Sequence, residues 1–164
     1  MRKINLKVTN KNKAILGTLF IVLFATSSIL IPLILIYLIP QSGLGHYFLD
    51  NINYLFISIL GLIYFVITGF YYYKIKIDPY VIDITSYRTV SSFFKKKDFV
   101  DIAHTMLSDY SFFDRPFSLN KTLMLKIETD SGRIIAKRFN LTLITEKEVQ
   151  AISKVLDRII VKNN

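Results

Sequence analysis

The first half of the chain contains two long apolar runs, at residues 14–39 and 52–73, and neither run contains Asp, Glu, Lys or Arg. A helix of 26 residues, the length of the first run, is about 39 Å long, whereas the hydrocarbon core of a bilayer is about 30 Å thick. The pattern therefore predicts two transmembrane helices, the first of which tilts or bends at Pro32, where a backbone donor is missing. A cleaved signal peptide is the alternative for the first run, but the run is too long and a second one follows it.

Strand patterns dominate the region after residue 73. Polar and apolar residues alternate in KIKID and YVIDIT, and RTVSSFFK is rich in strand-forming residues. In DFVDIAHTML we expect Phe99 and Ile102 to face the core. The clearest signal is the hairpin TLMLKIETDSGRIIAKRF, where DSG supplies the turn and three apolar residues alternate with Met124, Lys126 and Glu128. The three apolar residues are Leu123, Leu125 and Ile127.

Residues 145–164 carry a helical pattern instead. Thr145 and Glu148 have the spacing of a capping box. Apolar residues then recur at helical spacing along one face, namely Val149, Ile152, Leu156, Ile159 and Ile160. The predicted domain is thus a set of antiparallel strands followed by an amphipathic helix, which would cover the apolar mouth of an open barrel.

The distribution of charge predicts the orientation of the two spans. The chain has a net charge of +9, and residues 1–13 hold five cations and no acid. Lys74 and Lys76 follow the second run, whereas the connection at residues 40–51 has no Lys or Arg. Because Lys and Arg stay on the cytoplasmic side, we expect a multi-pass protein of the cell membrane with both termini in the cytoplasm. The expected organisation is a basic segment at 1–13, a two-helix hairpin at 14–73 and a cytoplasmic domain at 74–164.

This order of elements resembles the bacterial pleckstrin-homology-like family, in which two membrane spans precede a small β domain. The matching stretches are KIKIDPYVIDI, the basic hairpin followed by FVDI, the hairpin LMLKIETDSGRIIAKRF, and the helix from Thr145. The resemblance implies a β-sandwich or barrel closed by the last helix. It also implies a membrane-associated protein without catalysis, and in some members a link to envelope stress or to self-protection against antimicrobial peptides. It supplies no set of functional residues.

The sequence offers little material for an active site. It has no cysteine and two histidines, and we found no glycine-rich phosphate loop, nucleophile elbow or zinc motif. Asp101 and His104 lie three residues apart, but two ligands do not hold a catalytic metal. We therefore expect no enzyme activity, no cofactor and no metal. The absence of ionisable residues from both runs also disfavours a transporter or channel that works alone.

A basic hairpin is the first candidate contact site, formed by Phe93, Phe94, Lys95, Lys96 and Lys97. On the cytoplasmic side, the lysines would be attracted to an anionic leaflet, and the phenylalanines could enter its interface. The alternative is a hairpin whose lysines are solvated and whose phenylalanines face the core. Nucleic acid is not an expected partner, because Asp98 and Asp101 follow immediately.

An aromatic stretch at residues 108–120 is the second candidate, and its turn residues predict a loop. It would pack under the domain, lie on the membrane or bind a partner protein, since exposed apolar patches tend to mark contact sites. The residues proposed for this loop are Tyr110, Phe112, Phe113, Arg115 and Phe117.

These observations predict a non-enzymatic membrane protein with a cytoplasmic binding or regulatory domain. The resemblance to the bacterial pleckstrin-homology-like family implies a more specific role, immunity or resistance to a membrane-active peptide such as a bacteriocin. The alternative is an accessory subunit or scaffold of a transport or secretion complex. The expected partners are the lipid bilayer and either another protein or a second copy of the chain. Small residues in the two spans would let helices approach closely, within one chain or between copies. These are Ser27, Ser28, Ser58, Gly61 and Gly69.

Overall fold

A computed structural model describes residues 5–90, 98–116, 118–129 and 131–163 of this chain. It divides into two compact units. One is Ile15–Gly69, which contains the apolar helices. The other combines Met1–Ala14 with Phe70–Asn164 and contains the sheets. The β domain is therefore discontinuous in sequence, and the helical unit is an insertion within it.

The helical segments are α1 (Lys11–Ala25), a π turn (Thr26–Leu30), α2 (Ile31–Leu38), α3 (Gly43–Asp50) and α4 (Ile52–Thr68). Among the residues that the structure describes, one helical run, Lys11–Leu38, is long and apolar enough to cross a membrane. Helices α3 and α4 satisfy the same criterion only as a pair, and they are bent by 72° at the break between them. Near Pro32, where the sequence predicts a bend or else a tilt of the whole helix, a π turn immediately precedes α2.

Packing inside the helical unit uses several of its small residues. Ser28 and Ser58 are buried, and a Cβ added at Gly61 would lie 3.5 Å from the ring of Phe24. The Phe24 ring in turn contacts Phe65 with a centroid separation of 6.4 Å. These three small residues therefore serve contacts within this unit.

The predicted sheets and the final helix are confirmed. In the described residues, β1 to β4 form one antiparallel sheet in chain order, and β5 to β7 form a second. Helix α5 follows, with Ile152 and Leu156 fully buried in a core that both sheets line. The bounds are β1 (Leu6–Thr9), β2 (Tyr71–Ile77), β3 (Val81–Arg88), β4 (Asp98–Ala103), β5 (Leu107–Asp114), β6 (Asn120–Glu128), β7 (Ile134–Thr142) and α5 (Glu146–Asn163).

The local sequence signals predicted for the β6–β7 hairpin and for the start of α5 are both confirmed. Leu123 and Leu125 are fully buried in β6, and the turn before β7 is closed by the Thr129 N–H, which donates to the Arg133 carbonyl over 2.9 Å. The capping box is also present. The Glu148 N–H donates to Thr145 Oγ1 over 3.3 Å, and the Thr145 N–H donates to Glu148 Oε2 over 2.7 Å.

The first strand lies in a segment that the sequence had set apart as a basic terminus. Leu6–Thr9 pairs antiparallel with β2, and Thr9 lies opposite Lys74. Val8 from this strand is buried in the domain core. The segment is only four residues long, which is too short for its alternation to stand out among the lysines.

Three further expectations are corrected. Phe99 is 51% exposed, because β4 alternates with period two and Val100 and Ile102 take the two buried positions. The second predicted span ends earlier than its composition suggests, because Gly69 adopts φ +71° and ends α4. Tyr73, the last residue of the second predicted span, is instead fully buried in β2.

Candidate functional site

The ends of the helical insertion meet at one end of the β domain. Strand β1 finishes at Thr9, opposite Lys74 near the start of β2, so the chain leaves and re-enters the sheet at neighbouring positions. The Asn10 carbonyl accepts a hydrogen bond from the Ala14 N–H over 2.8 Å, which makes Asn10 the residue that starts α1. We call this end of the domain the insertion end.

A buried cluster of polar side chains joins the strands at the insertion end. The Asn10 side chain donates to the carbonyls of Tyr71 (2.8 Å) and Thr142 (3.1 Å), and it accepts from the Tyr73 N–H (2.8 Å). The Thr142 hydroxyl accepts from the Tyr71 N–H over 2.8 Å and donates to the Asn120 side chain. This polar junction ties β1, β2, β6 and β7 together where the insertion begins and ends.

Within the part of the chain that the structure describes, one buried polar side-chain atom near the polar junction has no hydrogen-bond partner, and it belongs to Tyr73. The Tyr73 hydroxyl is buried and accepts or donates no hydrogen bond there. Burial raises the pKa of Tyr73, and the Glu148 carboxylate nearby adds to the rise. The phenol therefore stays neutral. Glu148 is itself within 3.7 Å of the Lys13 amine.

Sequence reasoning missed the residues of the polar junction. Asn10 stands directly before the first apolar run, where helix-capping residues are preferred, so one signal for it was present. Nothing in the sequence marks Asn120 or Thr142, because their importance follows from the register that places them opposite each other in β6 and β7.

The basic hairpin, Phe93, Phe94 and Lys95 to Lys97, lies outside the described residues. Its flanks are informative nevertheless. Strand β3 ends at Arg88, which pairs with Tyr71 at the start of β2, and Asp98 at the start of β4 pairs with Ser86. The end of β3 and the start of β4 therefore both lie at the insertion end.

The first part of the aromatic stretch is a strand and not the predicted loop, because β5 ends at Asp114 and pairs with β6. Arg115 lies in the connection to β6. Tyr110 and Phe112 face inward and pack against the core. The Tyr110 hydroxyl donates to Asp157 of α5 over 2.7 Å. Burial, followed by this hydrogen bond, raises the pKa of Tyr110.

The remaining residues of that stretch separate from the inward pair. Phe113 and Arg115 line a shallow groove of about 260 Å³ together with Thr122 and Arg138. Phe117 lies outside the described residues. Of the three alternatives for the stretch, packing within the domain thus holds for Tyr110 and Phe112, while Phe113 and Arg115 remain available at the surface.

A larger cleft of about 470 Å³ lies at the opposite end of the domain, between the turn after β2 and the end of α5. His104, Tyr80 and Lys162 line it. Burial lowers the pKa of His104 below its ordinary value, and the charge of Lys162 lowers it further. Asp101 is exposed on β4 and does not line this cleft. Within the described ranges, no group of three or more His, Cys, Asp or Glu side chains is placed to hold a metal ion.

Comparisons with protein-family models, with curated proteins and with solved structures give no match for this chain. The fold and the geometry of the insertion end are therefore the basis for a functional assignment.

Proposed function

We propose that this chain is a non-enzymatic membrane protein with a cytoplasmic binding or regulatory domain, and that a two-span anchor interrupts this domain in sequence. The observation that supports the proposal is the antiparallel pairing of β1 with β2. The apolar helices form the connection between these two neighbouring strands, so both ends of the insertion belong to the same end of one small domain.

This connectivity limits how the insertion crosses a bilayer. A segment that starts and finishes on one side of a membrane crosses it an even number of times. The run Lys11–Leu38 is 28 residues long, about 42 Å at 1.5 Å per residue, which is sufficient for one crossing. The return crossing would then use α4, whose 17 residues span about 26 Å and lie at the lower limit for a spanning helix.

Charge assigns the side on which the domain lies. Lys11 and Lys13 precede the apolar run, and Lys74 and Lys76 follow the insertion, whereas residues 40–51 have no Lys or Arg. The positive-inside rule places the flanking lysines, and with them the β domain, in the cytoplasm.

Labelling of single cysteines tests this topology, and the chain has no native cysteine to interfere. Gly43→Cys adds a side chain into open space at the start of α3, and Val161→Cys replaces a side chain that is 77% exposed on α5. We expect a membrane-impermeant maleimide to label the Gly43→Cys variant in intact cells and the Val161→Cys variant only after permeabilisation. The reverse pattern, or labelling of both variants in intact cells, would overturn the two-span topology.

The specific role we propose, from the resemblance to the bacterial pleckstrin-homology-like family, is protection of the cell against a membrane-active peptide. Expression in a susceptible bacterium should raise the inhibitory concentration of at least one peptide in a panel of membrane-active peptides. The matched control is the Leu156→Asp variant, which removes a fully buried core side chain and should give no protection. Unchanged sensitivity to every peptide would favour the alternative role, an accessory subunit of a transport or secretion complex.

A further inference from the structure

Three exposed apolar side chains surround the points where the chain leaves and re-enters the β domain. They are Val90, Leu119 and Leu143, with exposed fractions of 42%, 50% and 39%. We call them the apolar rim. Exposed leucines are common on protein surfaces, so the position of these three, and not their exposure, is the informative property.

The entry side of the rim is fixed by short contacts. The Leu143 N–H donates to the Leu119 carbonyl over 3.0 Å, and the Lys13 amine donates to the Leu143 carbonyl over 3.0 Å. Leu143 adopts φ +55°, a left-handed conformation that is unusual for leucine. These two contacts hold its backbone there.

The exit side is arranged in the same way. Phe70, the first residue of the domain after the insertion, accepts hydrogen bonds at its carbonyl from the N–H (2.8 Å) and the hydroxyl (3.0 Å) of Thr89. Val90 follows Thr89 directly. Leu143 is thus bonded to Lys13, Leu119 is bonded to Leu143, and Val90 follows a residue that is bonded to Phe70.

The start of the apolar surface of α1 gives the depth of the rim relative to lipid. Ile15 and Leu16 are 57% and 64% exposed, and they begin two residues after Lys13, whose amine contacts Leu143. If residues 11–38 cross the bilayer, the first side chains in hydrocarbon lie within about two helical rises, roughly 3 Å along the axis, of Lys13. A backbone group that Lys13 contacts then lies at the level of the headgroups.

Electrostatics at this end are compatible with an anionic leaflet. Glu148 lies 3.7 Å from the Lys13 amine. Glu146 and Asp114 lie 2.7 Å and 3.3 Å from the amine of Lys121. Three carboxylates at this end, Glu148, Glu146 and Asp114, therefore each have a lysine partner.

We propose that the apolar rim inserts into the headgroup region of the bilayer, so that the β domain rests on the membrane surface and is not freely tethered to it. The proposal rests on the two-span anchor proposed above. Lipid is the occupant we assign to this surface, because Leu143 is bonded to Lys13 and Val90 follows Thr89, which is bonded to Phe70, and these two partners flank the apolar insertion.

The test uses full-length protein carrying one cysteine labelled with the polarity-sensitive fluorophore NBD, reconstituted in phosphatidylcholine and phosphatidylglycerol vesicles. Leu119→Cys and Val90→Cys report on the rim, and Leu143→Cys adds a third position whose backbone is strained. Val161→Cys and Ile134→Cys are matched controls, because both replace exposed apolar side chains (77% and 63%) away from the insertion end. Quenching by doxyl-labelled lipid measures contact with lipid, and quenching by iodide measures contact with water.

We expect labels on the rim to show at least a threefold higher ratio of lipid to iodide quenching than the two controls. Equal ratios at the rim and the controls would overturn the proposal, as would shielding from iodide without quenching by lipid, which indicates a protein contact. Leu23→Cys, on the exposed surface of α1, tests the anchor separately. If its label is in lipid and the rim labels are not, the resting domain is wrong and the anchor stands. If its label is in water, the anchor itself is wrong.

Discussion

Single polar residues hold the insertion end together, and Asn10 has the central place among them. It is 2% exposed and makes three side-chain hydrogen bonds with the backbone of β2 and β7. A buried polar group that loses its partner retains the cost of its desolvation. Asn10 is therefore a structural link between the start of the apolar helix and the sheets, and not a solvated residue of a basic tail.

Asn10→Ala should lower the free energy of unfolding by about 1–3 kcal/mol, because it leaves the buried Tyr73 N–H without its acceptor. Thermal unfolding of the detergent-solubilised full chain, followed by circular dichroism, measures the effect. The matched control is Asn12→Ala, two residues away and exposed, which should be neutral or slightly stabilising because alanine favours the helix. Equal melting temperatures for the two variants would contradict the role of Asn10.

A second prediction at this scale concerns His104. Because burial lowers its pKa below the ordinary value of 6.5, the folded state binds a proton less readily than the unfolded state. Its contribution to stability is therefore complete above pH 6.5 and is lost as the pH falls towards the folded pKa. Between pH 7.5 and pH 5.0 the melting temperature should fall less for His104→Gln than for the parent chain. If both fall equally, His104 is not the group responsible.

At the scale of elements, α5 gives the clearest prediction. Leu156 is fully buried and Val161, on the same helix, is 77% exposed. Leu156→Asp places an unpaired charge in the core, a change in the most severe class of substitutions. We expect this variant to accumulate poorly or to melt far below the parent, while Val161→Asp changes stability by about 0.5 kcal/mol or less. Protease resistance of the two variants in membranes provides the measurement.

Elements with a strong local signal were predictable from the sequence, and those set by distant pairing were not. The β6–β7 hairpin and α5 each carry a long periodic pattern with its own turn or cap, so Leu125 and Ile152 were found correctly. Strand β1 has four residues, and only its pairing with β2 reveals it. The placement of Phe99 in the core failed for a different reason: Phe99 and Ile102 are three apart, which is a helical spacing, and a strand cannot bury both.

The same distinction applies to the candidate sites. The aromatic stretch is unusual because four aromatic residues are close together in sequence. The division of Tyr110, Phe112 and Phe113 between the two faces of β5, however, depends on the register of β5 with β6. The apolar rim combines residues from three distant parts of the chain, and no sequence pattern connects Val90 with Leu119. Such sites become visible only when the strand order is known.

At the scale of the whole molecule, the β domain is closed by a strand that lies on the far side of the apolar insertion in sequence. Residues 70–164 therefore do not constitute the whole domain, because they lack β1 and the Asn10 side chain. Without β1 the edge of β2 is unpaired, and the core loses Val8. An exposed edge of this kind favours aggregation.

This discontinuity gives the final prediction. A fragment of residues 70–164 should aggregate or melt at a low temperature. A second chain, in which residues 1–10 are joined to residues 71–164 by an Asn-Gly linker, should be soluble and should melt cooperatively, since Thr9 and Lys74 are already opposite each other and a short connection suffices between antiparallel neighbours. The linked chain with Asn10→Ala is the control, and it should melt between the other two because it restores β1 without the polar junction. Size-exclusion chromatography and thermal unfolding of the three soluble fractions compare them. If the fragment of residues 70–164 is as stable as the linked chain, β1 is not an integral strand of the domain. The inference that both ends of the insertion lie on the same side of the membrane then loses its structural support.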